Sequence, residues 1–210
     1  MCNCMNRGCS GCSGQASIQC GNSCFSLGPF RASSFVCPPV NTGSIIPFSS
    51  GITTAILTTL DTGAVDTVTA VGFGTAVPDI TPAADGTISL PVTTTTEAFN
   101  VPRAGTITAV SATFTETTGF TVDAGTAIIT ARIYRARAGS SVFTPTSAAV
   151  TLTPVISGVV SPGTVYQGTT STNFPVSAGD RLVMVFSVAG TGITAVTTLT
   201  GAATAGITIS

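Results

Sequence analysis

Thr106-Ile-Thr-Ala-Val-Ser-Ala-Thr-Phe114 is the stretch that decides the fold. Polar and apolar residues trade places along it at a period of two, which sorts them onto opposite sides of an extended chain. The stretch predicts a half-buried β-strand over 106–116. Outward from it in both directions lie further short runs rich in Thr, Val and Ile, over 52–60, 67–73, 86–90, 96–101, 127–135, 149–153, 181–188, 193–200 and 205–209. Gly, Pro and Asp punctuate them. Short strands with turn signals at such regular intervals predict an antiparallel sandwich, jelly roll or barrel.

Composition points the same way. Of 210 residues 43% are hydrophobic, enough to bury a sizeable core, yet only 7% are charged and every basic residue is Arg. Threonine takes the places that charges normally hold, at close to one residue in five. Thr, Val and Ile suit a pleated surface and lose side-chain freedom in a helix, so strands are favoured again. A net charge of −1 offers no electrostatic footprint for nucleic acid or an anionic membrane. No apolar run reaches the roughly 18 to 20 residues that span a bilayer, and Met1-Cys-Asn-Cys-Met-Asn-Arg-Gly8 lacks the apolar core of a secretory signal. So little like-charge repulsion also leaves association weakly opposed.

The chain divides near residue 40. Cys2, Cys4, Cys9, Cys12, Cys20, Cys24 and Cys37 all precede that point, among Gly, Ser and Asn, and no cysteine follows. Residues 1–40 therefore read as a Cys-rich, largely irregular connector arm, and 41–210 as the β domain. With few large apolar groups (Phe25, Leu27, Phe30, Phe35), the arm depends on cross-links or partners for order. Cys37-Pro-Pro-Val-Asn-Thr-Gly43 reads as a stiff linker, since its prolines fix φ. The spacings Cys2-x-Cys4, Cys9-x-x-Cys12 and Cys20-x-x-x-Cys24 suit thiolate zinc as well as disulfides. Disulfides fit better, because small Cys-dense segments of exported proteins are oxidised and no compact apolar knuckle surrounds these residues. Seven is odd, so at least one thiol per chain pairs between chains, binds something or stays free.

One internal echo sharpens the fold. Phe99-Asn-Val-Pro-Arg-Ala-Gly105 and Phe174-Pro-Val-Ser-Ala-Gly179 both end a strand, turn through Ala-Gly and open a new apolar strand. Their glycines are expected to supply a positive φ or a close backbone approach, at corners where the chain passes between sheets.

No catalytic apparatus is visible. Without His or Lys there is no Ser-His-Asp or Cys-His arrangement, no Ser-Lys dyad, no P-loop lysine and no Schiff base. Paired carboxylates for glycoside hydrolysis could come from Asp61, Asp66, Asp79, Asp85, Asp123, Asp180, Glu97 or Glu116. Most lie beside Gly, Pro or Thr, where Asp caps turn amides, and that reading is preferred. Gly72-Phe-Gly74 lacks the third glycine of a dinucleotide fingerprint. Arg132, Arg135 and Arg137 cluster on one strand and its end, as anion binders or, preferably, as partners of carboxylates at a subunit interface. The Thr runs at 93–96 and 169–172 read as solvated loop or as acceptors for O-linked sugar. No cofactor or metal is expected.

At Asn41-Thr-Gly-Ser-Ile-Ile-Pro-Phe-Ser-Ser-Gly51, Val71-Gly-Phe-Gly74, Phe99-Asn-Val-Pro-Arg-Ala-Gly-Thr-Ile-Thr-Ala109 and Gly179-Asp-Arg-Leu-Val-Met-Val-Phe186, the chain resembles the C-terminal domain of the BclA and BclB exosporium glycoproteins of spore-forming bacteria. The resemblance covers about four-fifths of the chain and implies a jelly roll similar to C1q and tumour necrosis factor, assembled as a trimer. It departs in one respect: a Cys-rich arm stands where the collagen-like repeat would be. That arrangement resembles spore appendage (endospore pilus) subunits. The combined resemblance implies a homotrimeric, self-stacking, disulfide-linked fibre subunit at the spore surface, in exosporium or coat, freed by mother-cell lysis and attached to anchoring proteins there. The alternative is a trimeric adhesin or ligand-binding module.

Overall fold

Where β-branched and small residues alternate, the chain can hydrogen-bond only to neighbouring strands, and it does so throughout. A computed structural model describes residues 43–90 and 97–210, which form thirteen strands and, among the described residues, no α-helix. In chain order they are β1 (Ser44–Ser49), β2 (Ala55–Thr59), β3 (Val65–Val71), β4 (Ala76–Ile80), β5 (Ile88–Ser89), β6 (Phe99–Asn100), β7 (Gly105–Glu116), β8 (Phe120–Ala136), β9 (Val142–Thr151), β10 (Ile156–Val160), β11 (Val165–Val176), β12 (Arg181–Thr191) and β13 (Thr198–Ile209). All seven cysteines, the proline linker, the aromatic residues of the arm and the 93–96 threonine run lie outside the described residues.

The strands form two antiparallel layers. One has β13 at its centre, flanked by β7 and then β11 on one side and by β1 and β2 on the other. The second has β12 at its centre, flanked by β8 with β9 and β10 outside it, and by β3 with β4 outside that. From β7 to β8, β10 to β11, β11 to β12 and β12 to β13 the chain changes layer, so at these steps consecutive strands are not neighbours: this is a jelly roll. Thr58↔Thr67 pairing joins the layers along one lateral edge, and a Thr153↔Gln167 bridge joins them along the other.

Between the layers lies the main core. Leu57, Ile107, Phe114 and Ile207 face Ile129, Ile133, Met184 and Phe186, and the Phe114 and Phe186 rings stand 6.4 Å apart. Each such side chain contributes about 1.5–3 kcal/mol on burial. The echoed segments meet at their corners, where Val101 O accepts from Gly179 N and Val101 N donates to Asp180 O. Both expectations for the glycines hold. Gly179 has φ +85°, and a Cβ on Gly105 would sit 2.9 Å from the backbone oxygen of Ser210.

Several boundaries differ from expectation. The alternation quoted at the outset slips by one residue: Ile107 is buried, then Val110, Ala112 and Phe114. A bulge opposite Thr208 and Ile209 absorbs the slip. Residues 193–197 of the run at 193–200 lie in no strand, whereas 198–200 and 205–209 belong to one strand, β13, because Gly201 continues the ladder opposite Glu116 instead of breaking it. Residues 52–54 form a turn with Ile52 fully exposed, and β8 and β9 start seven residues before their predicted first residues, Ala127 and Ala149. Four strands, β1, β4, β10 and β11, carry no signal that alternation alone reveals. Pro47 and Pro78 interrupt β1 and β4, which is tolerated because each lies on an edge. No helix among the described residues is long and apolar enough to cross a membrane.

Candidate assembly interface

The two layers present outer faces of different kinds. On the β12 layer, Val183 and Val185 point away from the main core, since Leu182, Met184 and Phe186 take the other side of the pleat. They are buried all the same. Val77, Ile80, Ile88 and Leu90, from the excursion between β3 and β6, close over them together with Val68, Tyr134 and Phe143 to make a second core. The chain covers this face with its own residues.

Nothing in the described chain covers the corresponding face of the β13 layer. Its outward positions are Thr115, Thr113 and Ser111 on β7, paired with Ala202, Thr204 and Gly206 on β13, with Gln167 and Thr169 alongside on β11. Ser111 and Thr169 hydroxyls bond to each other at 2.8 Å. A shallow trough runs along Ser111, Thr113, Thr204 and Gly206. The strands of this layer contain one charged residue, Glu116, and it is 1% exposed. The face is flat, neutral and made mostly of small side chains, with Ile45 of β1 80% exposed on it opposite Thr208.

Beside it, the lateral edge formed by β10 and β11 exposes apolar groups. Val155 is 46% exposed, Val159 80% and Val165 46%. At the other lateral edge Ile52 is fully exposed, and Phe73 stacks on Phe48 at 5.5 Å while remaining 53% exposed.

The residues singled out for chemistry are dispersed. Asp85 and Asp180 cap turns as expected: Asp85 accepts from Thr87 N and Oγ1, which lowers its pKa, and Asp180 accepts from Ser177 N. Asp66, Asp79 and Asp123 instead lie within β3, β4 and β8, which corrects the turn reading for them. Asp61 sits in the turn after β2. Glu97 and Glu116 are buried. Thr75 Oγ1 donates to Glu97 at 2.5 Å, while Thr118 and Thr200 N donate to Glu116 Oε1 and leave Oε2 without a partner. Asp66, Asp85, Asp180, Glu97 and Glu116 bond to backbone amides, threonine hydroxyls and one arginine, and no group of acidic residues among the described residues is arranged to hold a metal ion. Arg132 donates to Thr146 O, and Arg135 lies over the Phe174 ring at 4.9 Å, 3.9 Å from Asp180, so its carboxylate partner is in its own chain. Arg137 is exposed just beyond β8. Gly72 packs against Glu97, which explains its lack of a side chain without any nucleotide. Sequence reading missed the bare face, because its signal is an absence of charge spread over distant strands.

Comparison with known proteins adds three findings. No family model matches the chain. Collagen-like protein 1 of Acanthamoeba polyphaga mimivirus is 29% identical over 177 residues, 80% of this chain. The chain spans about a fifth (19%) of the length of that relative. Among solved structures, the Eiger TNF of S. frugiperda superposes over 80% of this chain and 94% of its own, at 9% identity and a TM-score of 0.35.

Proposed function

We propose that this chain is a structural subunit whose domain forms a closed ring of three copies and whose arm links such rings into a spore-surface fibre. One observation carries the reading: the β13 face is bare and uncharged in a domain that covers its other outer face with its own chain. In the ring, the β10–β11 edge of one copy, with Val155, Val159 and Val165, lies in the trough of the next. Such a contact joins unlike surfaces, and it closes when the rotation between copies divides a full turn. The number three comes from the resemblance to exosporium C-terminal domains, and the likeness to a collagen-like protein accords with a surface role. The cysteines of the arm then join successive rings by disulfides, formed after release from the reducing cell.

Gly206 offers a clean test. A Cβ there would meet nothing nearer than Ile46 O at 3.9 Å, so the isolated domain tolerates a side chain, whereas a large one fills the trough. Gly206→Arg is expected to convert a sedimenting trimer to a folded monomer. Wild-type chain that sediments as a monomer at micromolar concentration sinks the ring. Denaturing electrophoresis checks the arm: a ladder that collapses on reduction to one band near 20.8 kDa is expected, and a single unreduced monomer band from intact fibres rejects the disulfide links.

A further inference from the structure

Of the exposed charges of the described domain, Asp79 on β4 and Asp85 lie away from both ends, and the rest are sorted by end. Strand register defines the ends, since β7 and β12 begin, and β8, β11 and β13 finish, at the same one. At that end Arg103 and Arg137 are exposed on the corners after β6 and β8, with Arg135 and Arg181 half-buried behind them. The acid among them, Asp180, is 2% exposed and faces Arg135. Asp85 lies on the flank, in the cover over the β12 layer, with its carboxylate held by Thr87. At the opposite end Asp61 and Asp123 are exposed, Asp66 is half-buried against Thr58, and Glu116 is buried. No arginine lies there among the described residues. Asp123 also lines a recess of about 100 Å³ with Thr121, Ala124, Thr194 and the exposed Val196.

We infer that the arginine end of one copy docks on the aspartate end of another, with Arg103 and Arg137 meeting Asp61 and Asp123, so that copies stack head to tail. The occupant is a second copy of this chain, chosen by charge: the two ends are complementary to each other, and each repels its like. The recess around Asp123 seats a guanidinium, with Val196 lining the path of its apolar stem. This inference rests on the ring proposed above, which uses lateral surfaces and leaves both ends free. The described domain begins at Gly43, whose neighbours Ile209 and Ser210 lie at the arginine end. One exposed ion pair contributes at most about 1 kcal/mol, and salt at cellular strength screens beyond about 8 Å, so a joint repeated around a ring is reversible and salt-sensitive.

Full-length chain, kept reduced, is followed by sedimentation velocity at about 50 mM and about 500 mM NaCl, between which the screening length falls roughly threefold. Species larger than one ring are expected at low salt, with a stacking constant at least about tenfold weaker at high salt. The doubly reversed variants R103E/R137E and D61R/D123R, with like charges at both ends, form rings that do not stack alone and stack when mixed one to one. Co-assembly also shows that both variants fold. Rings that never stack in wild type, reversed variants that stack alone, or a mixture that stays as rings overturns the inference and leaves the ring standing. Monomers at high salt in wild type overturn the ring itself.

Discussion

The outer faces of the β12 and β13 layers belong to sheets of similar size in one domain, yet one is sealed and the other open. On β12 the run Leu182-Val-Met-Val-Phe186 is apolar on both sides of the pleat, and the chain sends residues 76–90 back across it. On β13 the run Thr198-Leu-Thr-Gly-Ala-Ala-Thr204 is apolar on one side and hydroxylated or small on the other, and no segment among the described residues returns. Under the ring proposed above, the difference teaches how a chain marks a face for a partner with mostly small, uncharged side chains. Threonine, serine, alanine and glycine keep the face soluble enough before assembly and flat enough to be packed afterwards.

The comparison breaks most sharply under paired charge substitutions. Val185→Asp places a carboxylate in the sealed second core, where Val185 is 1% exposed, and is expected to cost about 4 kcal/mol or more, a large part of the total stability. Thr204→Asp on the open face is expected to leave the thermal midpoint of the monomer nearly unchanged, within about 0.5 kcal/mol, and to abolish the ring. Thermal denaturation with sedimentation separates the two. Equal destabilisation by both substitutions means that the β13 face is not open.

Two glycines on β13 give an intermediate effect. A Cβ at Gly201 would lie 2.3 Å from Thr115 O and 2.7 Å from two atoms of the Phe114 ring, so Gly201→Ala is expected to cost about 1–3 kcal/mol through forced shifts in the main core. Gly206→Ala meets open space and is expected to raise monomer stability by about 0.5–1 kcal/mol, since alanine orders more cheaply in a strand. Chemical denaturation of the monomer measures both. A loss at Gly206 as large as at Gly201 shows that the trough is already filled.

Much of the fold is legible in the residues because the central strands β7, β8, β12 and β13 have one or both faces in a core, and burial writes period two or an apolar run into a sequence. β11 was not legible for the converse reason. Of its residues only Tyr166 and Val176 are buried, so Gln167 to Asn173 carry no alternation and read as loop. The candidate interface was harder still. Thr113, Thr204 and Thr169 come from three strands far apart in sequence, and only the register places them side by side. The sorting of Asp61 and Asp123 to one end and Arg103 and Arg137 to the other depends on strand direction, which composition does not carry.

The smallest expected effect uses Tyr134 and Tyr166, the protein's only tyrosines, as one probe on each sheet, with no tryptophan to obscure them. Tyr166 on β11 points into the main core, where burial raises its pKa and the charge of Glu116 raises it further. Tyr134 on β8 sits in the sealed second core, where burial raises its pKa and Arg132 partly offsets the rise. Both phenols therefore keep their protons to higher pH when folded than when unfolded. In that interval the native state binds more protons, so stability falls as pH rises: the contribution is complete below about pH 10 and is lost as pH climbs through the raised folded values. Ultraviolet titration of the phenolate band is expected to show both tyrosines ionising later than in denatured chain. Arg132→Gln should delay Tyr134 alone, by removing the cation that favours its phenolate, and Glu116→Gln should advance Tyr166 alone. A Tyr134 that ionises at the ordinary value in folded protein means that water reaches the outer side of β8. The cover contributed by residues 76–90 would then not seal that face, and the contrast between the two sheets would fail at its first step.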